Sequence, residues 1–174
     1  ILGYAQGLEI IIKAAELLKG RDNIKFVIQG SGPEKEKLIK LKDRFKTKNV
    51  SFLEPVPKSM MPSILKAIDV AVIPLKKLDL FKGAIPSKIF EASAMKKPLL
   101  LGVDGEAKKH FIEKGKAGLY FTPEDHESLK AQIIFLADNP KDRHQMGENA
   151  RNYVSSFFNR NKIASDLFDK LQNQ

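Results

Sequence analysis

The stretch VAVIPLKKLDLFKGAIPSKIFEASAMKKPLLLG, from Val70 to Gly102, decides the fold class of this chain. It opens on one apolar run (VAVIPL) and closes on another (PLLLG), and neither run alternates with polar residues. Such runs are typical of strands that are buried on both faces of a parallel sheet. Between them, a loop leads to Pro86 and a helical segment, since proline is tolerated in the first turn of a helix. The stretch therefore predicts a strand–loop–helix–strand unit.

The same alternation extends outward from this unit in both directions. Helical segments separate the apolar runs, and Gly20 is expected to close the first helix as its C-cap. The pattern is that of a parallel sheet covered by helices on both faces. Only helical patterns follow the last apolar run, so we predict one doubly wound α/β domain spanning residues 1–174, with C-terminal helices. The predicted strands span residues 24–30, 49–54, 70–75, 98–102 and 118–121.

Composition narrows the function classes. The chain has 174 residues and no cysteine, which excludes disulfides and cysteine-based metal sites or nucleophiles. Its net charge of +9 favours an anionic partner. Nucleic acid is disfavoured as that partner, because the lysines are interspersed with acidic residues and form no block of like charge. The histidines lie far apart in sequence and are expected at the surface: His110, His126 and His144.

Ligands of doubly wound sheets bind beyond the carboxyl ends of the strands, so the residues just after each strand are the candidate site. GSGPE (Gly30–Glu34) follows the first strand and could either cradle a phosphate or form a tight turn. EPVPK (Glu54–Lys58) follows the second strand, and its prolines could either border a flat base or turn the chain. The residues themselves leave both pairs of alternatives open.

The longest irregular segment, Lys76–Ile85, leads into PSKIFE and a composite candidate site. Ser87 and Lys88 lie at a helix start, where backbone N–H groups lack partners and can hold an anion. Glu91 lies about one turn further on a similar face. It is either a solvated surface carboxylate, as most glutamates are, or an acceptor for the hydroxyls of a ribose.

Five segments, taken in order, resemble a known family over nearly the whole chain: GYAQGLEIIIKAAELL, FVIQGSGPEKEKL, VSFLEPVPKSMMPSILKAIDVAVIPL, PSKIFEASAMKKPLLLGVDGEA and AGLYFTPEDHESLKAQI. They are similar to the carboxyl-terminal domain of group 1 glycosyltransferases of the GT-B architecture. The resemblance implies that the chain is the Rossmann-like, donor-binding half of a two-domain enzyme whose amino-terminal acceptor domain it lacks. It also implies a nucleoside-diphosphate sugar as donor, with UDP preferred, a retaining reaction, and no metal or other cofactor. An isolated donor domain is expected to bind nucleotide without turnover.

PSKIFE and GVDGEA further resemble the bacterial subgroup that builds capsule, O-antigen and exopolysaccharide chains on lipid carriers. This likeness implies a glycan or lipid-linked acceptor. It also implies a location in the cytoplasm, peripherally attached at the inner face of the plasma membrane.

The resemblance assigns roles to individual residues. It places Glu91 on the donor ribose, and the backbone of Ser87, Lys88 and Ile89 on the diphosphate. A second group, drawn from the turns after the first two strands, would border the nucleotide: Gly30, Gly32, Val56 and Pro57.

Two positions depart from the family pattern. Gly83 stands where the family has a first glutamate, which contacts the transferred sugar. Gln6 stands where the family has the lysine of a basic pair. Gly83 and Gln6 are therefore the expected sugar-side positions, and the positive charge around the phosphates is incomplete.

Two alternatives to a transferase stay open. One is a nucleotide-sugar epimerase of the same architecture, which would need additional acids, bases and histidines in the cleft. The other is a non-catalytic nucleotide-binding module. A metal site is not expected, because Asp69, Asp104 and Glu106 do not have the spacing of a closed ligand set.

Overall fold

The computed structural model describes residues 1–172. It contains a strand in each predicted apolar run, and every strand pair is parallel, with β1 beside β2 and β4 between β3 and β5. The prediction of a parallel α/β fold is therefore confirmed. The strands are β1 (Phe26–Gln29), β2 (Val50–Leu53), β3 (Ala71–Pro74), β4 (Leu99–Gly102) and β5 (Gly118–Tyr120).

The hydrogen-bonded ladders form two sheets, β1–β2 and β3–β4–β5, rather than the single predicted sheet. The first residues of the chain connect these sheets at their carboxyl edges. The Leu2 N–H donates to the carbonyl of Ser31, just after β1, at 2.8 Å. The Ala5 carbonyl accepts from the N–H of Lys76, just after β3, at 2.9 Å. These two bonds tie the carboxyl edges of the sheets to each other.

Helices connect the strands and form the C-terminal part of the chain. The first helix ends at Leu17 with Leu18 as its C-cap, so the prediction of a Gly20 cap is wrong. Gly20 does not have a positive φ, so the turn after this helix does not require a glycine at that position. A π-helix, Lys108–Lys114, follows β4. The α-helices are α1 (Glu9–Leu17), α2 (Lys35–Phe45), α3 (Met61–Ala67), α4 (Lys88–Ala94), α5 (His126–Asp138), α6 (Pro140–Phe157) and α7 (Arg160–Gln172).

Strand β4 shows why its sequence lacks alternation. Leu100 is buried in a cluster that includes residues of α1, α2 and α5. Leu99 and Leu101 point to the other face and are buried with residues of α4, the π-helix and α6. Both faces of the strand are therefore covered by helices, as predicted for a doubly wound fold.

The last helix differs from the others in its packing. Helix α7 has no buried residue within its described range. Its apolar side chains at Ile163, Leu167, Phe168 and Leu171 are exposed. None of the helices within residues 1–172 combines the length and apolar character that crossing a membrane would require.

Candidate functional site

The carboxyl ends of β3, β4 and β5 meet at a small cavity of 160 Å³. A hydrogen bond joins the loop after β3 to the loop after β5: the Lys77 N–H donates to Glu124 Oε2 at 2.9 Å. Gly105, with φ +76°, lets the loop after β4 approach the backbone of Lys82, and a Cβ there would overlap the Lys82 carbonyl. Residues lining the cavity include Lys76, Phe81, Lys82, Val103, Asp104 and Pro123.

A tyrosine–aspartate pair lies beside this cavity. The Tyr120 hydroxyl donates to Asp104 Oδ1 at 2.6 Å. Burial of the phenol, together with the neighbouring carboxylate, raises the pKa of Tyr120 far above its ordinary value. The Lys108 ammonium lies 3.9 Å from the centre of the Tyr120 ring. The Tyr120 hydroxyl therefore keeps its proton at neutral pH, and by donating it to Asp104 it fixes the orientation of the Asp104 carboxylate.

The predicted diphosphate residues lie at the start of α4, on the same carboxyl edge. The Ile89 N–H already donates to the Pro86 carbonyl at 3.0 Å. Within residues 1–172, the N–H groups of Ser87 and Lys88 have no backbone partner outside regular ladders, so these two remain available to an anion. Packing of neighbouring atoms around the Lys88 ammonium lowers its pKa, and the nearby Glu91 carboxylate opposes this shift.

Glu91 lies on the outer face of α4. It is exposed, as is Ser87 one turn earlier, whereas Ile89 is fully buried on the opposite face. Glu91 forms no salt bridge among the described residues. Its carboxylate is therefore available to a ligand, and its role on a ribose stays a prediction.

The glycines after β1 make room for the chain itself. At Gly32, with φ +152°, a Cβ would lie 2.7 Å from the Leu2 nitrogen and 2.9 Å from its carbonyl carbon. Gly30, with φ +127°, lies against the Leu2 side chain. The turn alternative therefore accounts for both glycines, and their contact with a nucleotide stays a prediction.

The turn after β2 lies next to the glycine turn. Lys35, the first residue of α2, forms a 2.6 Å ion pair through its Nζ with Oε1 of Glu54, which follows β2. Val56 is half-buried and Pro57 is exposed. Their contact with a base stays a prediction.

The structure also shows the surroundings of the two positions that depart from the family pattern, Gly83 and Gln6. A Cβ at Gly83 would meet nothing within 4 Å, so no side chain fills the space of the expected glutamate. The Gln6 side chain is engaged locally, because its Oε1 accepts from the Gly3 N–H at 2.8 Å.

Sequence reasoning missed three residues that the structure brings to this edge: Lys76, Tyr120 and, as a partner for a hydroxyl, Asp104. Each follows or ends a strand, and the strand-end rule could have identified them.

His110 also differs from expectation, because it is half-buried and its Nδ1 lies 3.0 Å from the Tyr153 hydroxyl. His144 is exposed, as expected. Within residues 1–172, no three His, Cys, Asp or Glu side chains are grouped to hold a metal ion.

Solved structures with the same architecture are GT-B glycosyltransferases. The HepE protein of Anabaena, solved in complex with UDP and glucose, superposes with a TM-score of 0.83 at 20% identity. The match covers 99% of this chain and 46% of that protein. At this identity the likeness shows the fold, which is the Rossmann-like half of a GT-B enzyme.

The family follows from the sequence match. The family model "Glycosyl transferases group 1" matches residues 2–153, so the chain belongs to the group 1 glycosyltransferases. An uncharacterized glycosyltransferase of Methanocaldococcus jannaschii is 28% identical over 173 residues, which cover 97% of this chain and 43% of that protein. The alpha-D-kanosaminyltransferase of Streptomyces kanamyceticus is 32% identical over 154 residues, covering 83% of this chain and 36% of that protein. The chain thus spans less than half the length of these relatives.

Proposed function

We propose that this chain binds the nucleoside-diphosphate sugar in a glycosyltransferase, with UDP as the nucleotide. The observation that carries the proposal is the start of α4. Among residues 1–172, the N–H groups of Ser87 and Lys88 there have no backbone partner, and the exposed carboxylate of Glu91, one turn away, forms no salt bridge. Membership of the family supports this assignment, as does the UDP complex of the fold relative.

The proposed reaction breaks the bond between the sugar's anomeric carbon and the diphosphate. The acceptor oxygen bonds to that carbon, its proton passes to the departing diphosphate, and the configuration is retained. Negative charge develops on the departing diphosphate, so pre-oriented N–H groups and cations lower the barrier. Glu91 accepts hydrogen bonds from the ribose hydroxyls, and Gly30, Gly32, Val56 and Pro57 border the nucleotide. No metal is part of this proposal, since helix-start N–H groups and lysines supply the positive field.

The acceptor belongs to the same proposal. It is a glycan or a lipid-linked hydroxyl used in cell-envelope polysaccharide synthesis, and it is bound by a separate amino-terminal domain. The chain alone then binds the donor without turnover, in the cytoplasm at the inner face of the membrane. The epimerase alternative gains no support, because His110 is bonded to Tyr153 and does not line the cavity.

The test is calorimetric titration of the chain with UDP, GDP and NAD, repeated on Glu91→Ala. We expect UDP to bind, and the variant to lose about tenfold or more in affinity, the worth of a hydrogen bond to a charged group. Glu113→Ala is the matched control, because Glu113 is an exposed helical carboxylate near the amino end of β5, at the opposite edge of the sheet. Equal affinities in all three proteins would remove Glu91 from the site. Binding of NAD in place of UDP would favour a non-catalytic dinucleotide module.

A further inference from the structure

The cations at the carboxyl edge of β3 are not equivalent. Lys82 is neutralised locally, because its Nζ lies 2.7 Å from Asp79 Oδ1. Lys88 lies near Glu91, whose carboxylate offsets its charge. Lys76 forms no ion pair with any carboxylate among residues 1–172. Its charge acts on Glu9 over a longer range, but the Glu9 carboxylate is already bonded to Lys37 at 2.6 Å.

Lys76 is also held in place by the first loop of the chain. Its N–H donates to the Ala5 carbonyl at 2.9 Å, and its carbonyl accepts from the Leu78 N–H at 2.9 Å. Its side-chain stem packs against Gly7, where a Cβ would lie 3.3 Å from Lys76 Cγ. Its ammonium lies 2.9 Å from the centre of the Tyr4 ring. A cation held over an exposed ring, with its stem fixed, is pre-oriented and still free to bind an anion.

Lys76 brings a positively charged side chain to the loop that contains Gln6. Gln6 is uncharged, and its side chain is occupied by the Gly3 N–H. Lys76 comes from the neighbouring loop after β3, yet it contacts Gly7, the residue that follows Gln6. A positive charge therefore stands at the first loop although the sequence of that loop contains no basic residue between Gly3 and Gly7.

We propose that Lys76 is the residue that binds the donor diphosphate from the side of the first loop. This inference rests on the proposed function. It assigns to this chain a phosphate contact that comes from the loop after β3 rather than from the loop before α1. Lys76 is a binding residue and takes no covalent part in transfer.

The experiment is titration of the chain with UDP, and with uridine as the ligand without phosphates, in wild type and Lys76→Met. Methionine keeps the stem that packs on Gly7 and removes the charge. We expect the variant to bind UDP about tenfold or more weakly, as for loss of a charged hydrogen bond, and uridine as wild type does. Lys76→Arg is expected to restore most of the UDP affinity, because the charge returns.

Lys25→Met is the matched control, since Lys25 is an exposed lysine at the amino end of β1, on the far edge of the sheet. It makes the same change in net charge and should leave UDP binding within about twofold, the range expected from long-range screening. If Glu91→Ala weakens UDP binding but Lys76→Met does not, the Lys76 inference is wrong and the proposed function stands. If wild type binds no UDP, both are wrong. Thermal unfolding of each variant separates loss of binding from loss of fold.

Discussion

At Gly147, intrinsic helix propensity favours alanine, whereas tertiary packing favours glycine. It lies inside α6, where replacing glycine by alanine in an exposed helix would stabilise the protein by about 1 kcal/mol. However, a Cβ at this position would overlap the Lys96 carbonyl oxygen and lie 3.1 Å from its carbonyl carbon. It would also lie 3.5 Å from Cδ of Pro98, so α6 presses directly on the turn before β4.

The size of the effect follows from which atoms must move. The overlapping atoms belong to backbone, and no flexible side chain can turn away. Overpacking typically costs about 1–3 kcal/mol, and the upper end applies where backbone has to shift. After subtracting the helix gain of about 1 kcal/mol, we expect Gly147→Ala to destabilise the chain by about 2 kcal/mol. For a chain of this length, that corresponds to a fall in Tm of about 4–8 °C.

Urea unfolding followed by circular dichroism measures this difference directly. Gly20→Ala is the control, because a Cβ there would meet nothing within 4 Å. Alanine at such a site is expected to stabilise by about 0.4–1 kcal/mol through the unfolded state. A Gly147→Ala protein that is more stable than wild type would refute the reasoning, since helix propensity would then outweigh the contact with Lys96.

Two further predictions concern the core and the tyrosine–aspartate pair. Leu100→Ala should destabilise the chain by about 2–5 kcal/mol in urea unfolding, because Leu100 is only 1% exposed. The control Leu53→Ala should cost distinctly less, because Leu53 is 44% exposed. Equal losses of stability in the two variants would contradict the assignment of Leu100 to the core. Asp104→Asn should lower the pKa of Tyr120 toward its ordinary value, since ionising the phenol would no longer place two negative charges together. Ultraviolet absorbance of tyrosinate during a pH titration measures this shift, with Tyr120→Phe to assign the signal, and an unchanged titration would mean that burial alone raises the pKa.

The sequence was sufficient for the elements and their order. Apolar runs without alternation predicted the strands, and β4 shows the cause, because Leu100 and its neighbours Leu99 and Leu101 enter opposite cores. Proline positions and helical spacing predicted the helices to within a few residues. The resemblance carried by the ordered motifs also predicted the family to which the chain belongs.

Only the tertiary structure decided which residues meet at the carboxyl edge. Leu2 fills the space above Gly32, Lys76 reaches the loop that contains Gln6, and these contacts join residues about 30 and 70 positions apart in the chain. Strand and helix patterns are local properties of the chain, set by backbone geometry and by which face is apolar. A contact between distant loops depends instead on how all the intervening elements pack, so no local pattern of residues encodes it.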